Sequence, residues 1–163
     1  MSSYRRRLAA IANKLICGVD FSKQPDNELW YITTNGQKVD SSEMNLIGGW
    51  GQQEGLQVIS HTYENGIGKV RYNTNVIKFG ENVFRFTKNT LLVSLPRTLV
   101  RFSSACFGDS LEYLIEHLVL LRESEVTFNK KSGWKPVIHN MYVQPNCKQF
   151  YNNLGYNIIE KKI

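Results

Sequence analysis

The chain has few cysteines, no long apolar run, no low-complexity tract and no acidic residue in its first eighteen positions. Its three cysteines, Cys17, Cys106 and Cys147, are an odd set without close spacing. That pattern suggests neither a disulfide framework nor a zinc site, so the thiols are read as structural and no metal or cofactor is expected. The longest apolar stretches fall far short of the roughly 20 residues a membrane helix needs, so insertion into a bilayer is not expected. Collagen-like, mucin-like and disordered compositions are excluded as well. What is present suits one globular unit: 163 residues, of which 42% are apolar and 21% charged.

The net charge of +6 is unevenly placed. Arg5, Arg6, Arg7 and Lys14 supply four of the 20 basic residues within positions 1–18, leaving 16 basic against 14 acidic side chains in the rest. The body of the protein is therefore close to neutral, and the charge belongs to an arm.

That arm does not read as a secretion signal, because Asn13 and Lys14 end the apolar run Leu8-Ala-Ala-Ile-Ala after five residues. Lipidation at Cys17 is not expected either, since Ile16 stands where a small residue is required. Leu8, Ile11, Ala12, Leu15 and Ile16 recur at helical spacing, with the arginines in the first turn and Gly18 after the last. A helix of this length is marginal alone in water, so its apolar stripe must be covered. It either folds back on its own domain or docks to another protein or a second copy. The polar stretch Asp20-Phe-Ser-Lys-Gln-Pro-Asp-Asn reads as a linker, which favours docking through Tyr4, Arg5, Arg6, Arg7, Leu8, Ile11 and Leu15. Self-association into a homo-oligomer is one expected outcome.

From Asn27 onward the signals are those of strands and turns. Glu28-Leu-Trp-Tyr-Ile-Thr-Thr followed by Asn35-Gly36 and Gln37-Lys-Val predicts a hairpin, with Leu29, Tyr31 and Thr33 on one face and Trp30 and Ile32 on the other. Leu56-Gln-Val-Ile-Ser-His-Thr-Tyr predicts another strand, closed by Glu64-Asn-Gly. The glycines at Gly48-Gly-Trp-Gly lack the lysine and helical pattern of a phosphate cradle.

The most informative stretch is 70–107. A shift of twenty-three residues superposes Val70 on Val93, Tyr72 on Leu95, Val76 on Leu99, Phe79 on Phe102, Val83 on Cys106 and Phe84 on Phe107. Such a period predicts a solenoid, in which a short strand and a return segment form each coil and neighbouring coils complete one another's core. Phe79 and Phe84 are then expected to stack beside Phe102 and Phe107, each buried ring contributing roughly 1.5–3 kcal/mol. A third unit near Glu116-His-Leu118 follows the period poorly, so flanking segments must act as caps.

Val76-Ile-Lys-Phe-Gly-Glu-Asn-Val-Phe, Leu92-Val-Ser-Leu-Pro-Arg-Thr-Leu and Phe102-Ser-Ser-Ala-Cys-Phe with Ser110-Leu-Glu-Tyr-Leu resemble the BspA-type leucine-rich repeats of Bacteroidetes. Asn27-Glu-Leu-Trp-Tyr-Ile-Thr-Thr-Asn-Gly is similar to that family's amino-terminal cap, and Met141-Tyr-Val-Gln-Pro with Phe150-Tyr to its terminal strand and short helix. The resemblance covers about 27–163 and is weaker after 115. The second coil is shortened around Gly108-Asp-Ser110, and the usual terminal valine-proline is replaced by Val143-Gln-Pro. The expected fold is mainly β with short helices: a docking arm and linker at 1–26, a β-rich cap at 27–69, leucine-rich-repeat coils at 70–120 and a terminal cap at 121–163.

The resemblance implies a non-catalytic, macromolecule-binding protein. Arg71 and Ser94 occupy equivalent positions on the strand ladder and are the candidate ligand face. An arm of this kind is similar to those of bacteriophage- or prophage-encoded repeat proteins. The leading expectation is a virion-attached fibre or decoration subunit, assembled in the bacterial cytoplasm, held by other virion proteins through its arm and facing a host-surface protein or glycan. The alternative is an adhesin on the bacterial cell surface. Catalysis is not expected, since His61, His117 and His139 lie in unrelated segments without a supporting motif. Nucleic-acid binding through Arg5 to Arg7 and Lys130-Lys-Ser-Gly-Trp-Lys135 is disfavoured, because such runs are more often solvated faces. Trp30, Trp50 and Trp134 are read as cap or core residues before carbohydrate platforms.

Overall fold

A computed structural model of the protein describes residues 18–40, 46–47, 49, 51–81, 83, 89–103, 115–129 and 138–163. These contain ten strands: β1 (Glu28–Thr33), β2 (Val58–Glu64), β3 (Ile67–Tyr72), β4 (Lys78–Phe79), β5 (Thr90–Leu95), β6 (Arg101–Ser103), β7 (Ile115–Leu120), β8 (Thr127–Asn129), β9 (Ile138–Val143) and β10 (Asn157–Glu160). The protein is mainly β. Seven strands form one sheet in the order β10-β9-β7-β5-β1-β3-β2, and β4-β6-β8 form a second. From β3 to β9 the chain visits the two sheets in strict alternation. Both β5-β7-β9 and β4-β6-β8 are parallel, a pairing that requires crossover connections, here made through the other sheet.

The hairpin expected at Asn35-Gly36 does not form, whereas the turn expected to close the strand at Glu64-Asn-Gly does make one. Asn65 and Gly66, at φ 53° and 79°, supply the two left-handed positions that join β2 to β3. Asn35 and Gly36 lie in bends, and Gln37–Val39 do not pair with β1. Both edges of β1 are already taken, by β3 on one side and β5 on the other. The returning chain is held by side chains instead. Thr33 donates its hydroxyl to the Gln37 carbonyl, and the Val39 amide donates to the Tyr31 hydroxyl. The alternation within β1 is as the sequence predicts: Leu29 and Tyr31 enter one apolar cluster, and Trp30 and Ile32 enter another.

The offset of twenty-three appears directly in the small sheet, where Lys78 lies opposite Arg101 and Phe79 opposite Phe102. In the large sheet β1 intervenes between the two equivalent strands, so Val70 pairs with Leu29 and Val93 with Tyr31. The segment near Glu116 joins the same ladder at a longer step, Leu92 facing His117, and Phe102 faces Phe128. The next step, Ile115 to Ile138, returns to twenty-three. Extra residues are taken up between strands, where they leave the hydrogen-bonded ladders intact.

The main core lies between the sheets. One register row, Gly68–Tyr31–Val93–Leu118–Met141–Ile158, crosses six strands, and all but the glycine enter this core. Opposite it the rings form a chain at centroid separations of 5.8 Å (Tyr72–Phe79), 6.2 Å (Phe79–Phe102), 5.7 Å (Phe102–Phe128) and 5.9 Å (Phe128–Tyr151). The contact of Phe79 with Phe102 is the one the period predicts. Phe84, Cys106 and Phe107 lie outside the described residues, while Phe128 and Tyr151 extend the series where the period is weakest. Two glycines are required by close approach. A Cβ on Gly68 would fall 2.0 Å from Cζ of Tyr31, and one on Gly80 would fall 2.7 Å from the Gln52 amide nitrogen.

Candidate functional site

The other side of the large sheet carries the second apolar cluster and the features that bear on recognition. Its central row, read from the strand register, is Lys69–Trp30–Ser94–Val119–Tyr142–Ile159. A second row beside it is Ile32–Leu92–His117–Asn140–Asn157. Strands buried on both faces read as nearly continuous apolar runs, which is why Thr90–Leu95 and Ile115–Leu120 show little alternation.

Residues 20–24, part of the stretch 20–27 expected to be a linker, instead form with Val19 a strap seated on this face. Phe21 is buried and lies against Trp30 at 6.4 Å between ring centroids. Gln24 donates from Nε2 to the carbonyls of Glu28 and Ser94, at 2.8 and 3.1 Å. Arg97 holds the strap from the β5–β6 connection, its guanidinium donating to the carbonyls of Gln24 and Ser22, both at 2.9 Å. Asp20 caps the strap's short 3-10 turn, accepting from the Ser22 amide and hydroxyl, and the latter bond holds its carboxyl below the usual range.

At one end of the face Glu28 is a buried carboxylate. It accepts from the Trp30 indole N–H at 2.7 Å, from Arg71 Nε at 2.7 Å, and sits 2.6 Å from the second Arg71 nitrogen. The Lys69 ammonium lies 4.8 Å above the Trp30 ring. At the other end, a cavity of about 200 Å³ opens between the strap and the C-terminal segment. Its apolar lining comes from Val19, Phe21, Val119, Tyr142 and Ile163, and Asp20, Lys161 and Lys162 add charge. Buried Gln144 fixes the C-terminal wall, donating to the Leu121 carbonyl and accepting from the Ile163 amide.

His117 is 2% exposed, and its ring lies 5.6 Å from that of Tyr142. Asn140 donates to Nδ1 at 3.4 Å, which leaves the ring proton on Nε2, a buried atom with no hydrogen-bond partner among the described residues. Burial, with a smaller contribution from His139, pushes the imidazole down to about 4.

The residues predicted for the ligand face are only partly available. Ser94 is fully buried beneath the strap, and among the described residues its hydroxyl has no partner. This corrects the expectation that it faces a ligand, because the strap occupies the space above it. Arg71 is half-exposed but its guanidinium is committed to Glu28. Tyr4, Arg5, Arg6, Arg7, Leu8, Ile11 and Leu15 lie outside the described residues, as do Lys130–Lys135, Trp50 and Trp134. Trp30 is core, as expected. The Cys147 thiol is buried and pushed up by that burial and by Glu160 and Glu123, the opposite of what a nucleophile needs. The His139 ring lies 3.3 Å from the Glu116 carboxylate. Gln24, Arg97, Lys161 and Lys162 had no motif to mark them.

Comparison with known proteins found no matching family model, curated protein or solved structure.

Proposed function

We propose that the chain is a non-catalytic recognition module, built as a short leucine-rich-repeat solenoid of the BspA type, with capping segments at both ends. The observation that carries this reading is the alternation of strands between two parallel ladders, with Phe79, Phe102 and Phe128 stacked through the interior. Such winding sets side chains at a fixed pitch along a stiff face, which suits the binding of another macromolecule. The open part of that face is the cavity beside Tyr142. It takes an apolar side chain of the partner, with Lys161 and Lys162 meeting neighbouring acidic groups.

The setting we propose is a virion-attached subunit of a phage, carried by the sequence resemblance; a bacterial surface adhesin is the second reading. Two measurements test the proposal. Immunoblotting of purified particles and of host envelope fractions decides the setting, with signal expected in the particles. The double charge reversal Lys161→Glu/Lys162→Glu is expected to weaken binding to the partner in that fraction at least tenfold. Unchanged binding would remove the face from consideration.

A further inference from the structure

We propose that Asn35 is a site of self-modification, converted to aspartate and isoaspartate through a succinimide that the Gly36 amide nitrogen closes. The sequence holds two Asn-Gly pairs, Asn35-Gly36 and Asn65-Gly66. A following glycine puts no side chain in the way of ring closure, so the two pairs start with the same intrinsic reactivity. The fold separates them. Asn65 and Gly66 are both left-handed and sit between Glu64 and Ile67, which face each other in the β2–β3 ladder. Swinging the Gly66 amide over the Asn65 carboxamide breaks that pairing, so closure there waits on local opening of the hairpin. Of the other pair only Gly36 is left-handed, at φ 69°, and residues 34–38 are exposed and belong to no strand.

Hydrogen bonding at Asn35 favours the chemistry as well. Its Oδ1 accepts from the Gln37 amide at 3.1 Å, a bond that polarises Cγ and stabilises the negative charge the oxygen acquires under attack. Among the described residues the Gly36 amide donates to no acceptor, so its nitrogen is available. The steps balance with water as the one co-reactant. The Gly36 nitrogen loses its proton and bonds to Cγ, while the carboxamide nitrogen takes up a proton and leaves as ammonia. Water then opens the ring at either carbonyl. One opening restores the ordinary backbone with an aspartate side chain, and the other routes the backbone through Cγ as isoaspartate. Isoaspartate adds one carbon to a segment tied down by the Thr33 bond to the Gln37 carbonyl and the Val39 bond to Tyr31. Val39 is buried in the main core and Tyr31 bonds His61, so the added length is transmitted to both. None of this depends on the recognition reading.

Ageing of the full chain at mildly alkaline pH, followed by peptide mapping with mass spectrometry, tests the assignment. In the folded protein Asn35 is expected to convert at least tenfold faster than Asn65, because only the latter must first open a hairpin. In concentrated urea the two rates are expected to converge, since the pairs are chemically alike. Equal rates in the folded protein, faster conversion at Asn65, no conversion at Asn35, or a difference that persists in urea overturns the proposal. A second readout follows the consequence. The His61 ring resonances are expected to shift in the fraction converted at position 35, while those of His117 and His139 keep their positions. Unchanged His61 resonances in that fraction overturn the link to the core. Neither measurement involves a partner, so its failure is separate from failure of the recognition reading.

Discussion

His117 shows how burial of a single titratable group sets a stability term. Its imidazole titrates near 6.5 in an unfolded chain and at about 4 in the fold. The unfolded state therefore binds more protons between those values. The stability tied to neutral His117 is complete above pH 6.5 and is lost as pH falls toward 4, by up to about 3 kcal/mol. Urea unfolding between pH 7 and 4 should show this slope, and His117→Asn should flatten it. His61 is shifted the same way, by burial and by Lys38, and its contribution remains in the variant. At Gly68 the constraint is steric. Tyr31 lies flat across it, with its hydroxyl 2.7 Å from His61 Nε2, so the ring has a fixed place. Gly68→Ala is expected to cost about 1–3 kcal/mol, and far less when Tyr31→Ala has already emptied the space, a non-additivity that denaturation midpoints resolve.

At the scale of elements, the ring series couples strands that are distant in sequence. Phe79 and Phe102 meet edge-on at an interplanar angle of 89°, and both are fully buried. Phe102→Ala should destabilise by about 3–5 kcal/mol. A double-mutant cycle with Phe79→Ala should return a coupling of about 0.5–1.5 kcal/mol, because the ring contact adds to area burial. The strap depends on Arg97, which satisfies carbonyls that a short 3-10 turn leaves open. Arg97→Met keeps the aliphatic stem and removes those bonds. Acrylamide should then quench Trp30 more efficiently, while the far-ultraviolet dichroism stays unchanged.

For the whole molecule, the sheet order ranks the strands. β5 and β7 are paired on both sides and buried almost throughout, whereas among the described residues β2 pairs only with β3 and is exposed along much of its length. Amide exchange should be slowest in β5 and β7 and fastest in β2, and equal protection across the sheet would contradict this packing. The sequence alone determined what depends on local chemistry: the split of Leu29 and Tyr31 from Trp30 and Ile32, the turn at Asn65-Gly66, and the shift of twenty-three that brings Phe79 to Phe102. Each follows from side-chain period or backbone preference, both carried by neighbouring residues. Tertiary structure alone decided that β1 inserts between β3 and β5, that Asn35-Gly36 closes no hairpin, and that the polar stretch after Gly18 is a strap over Ser94. Those outcomes turn on which of several competent edges and faces are already occupied. Occupancy is a property of the assembled chain, and no local pattern records it.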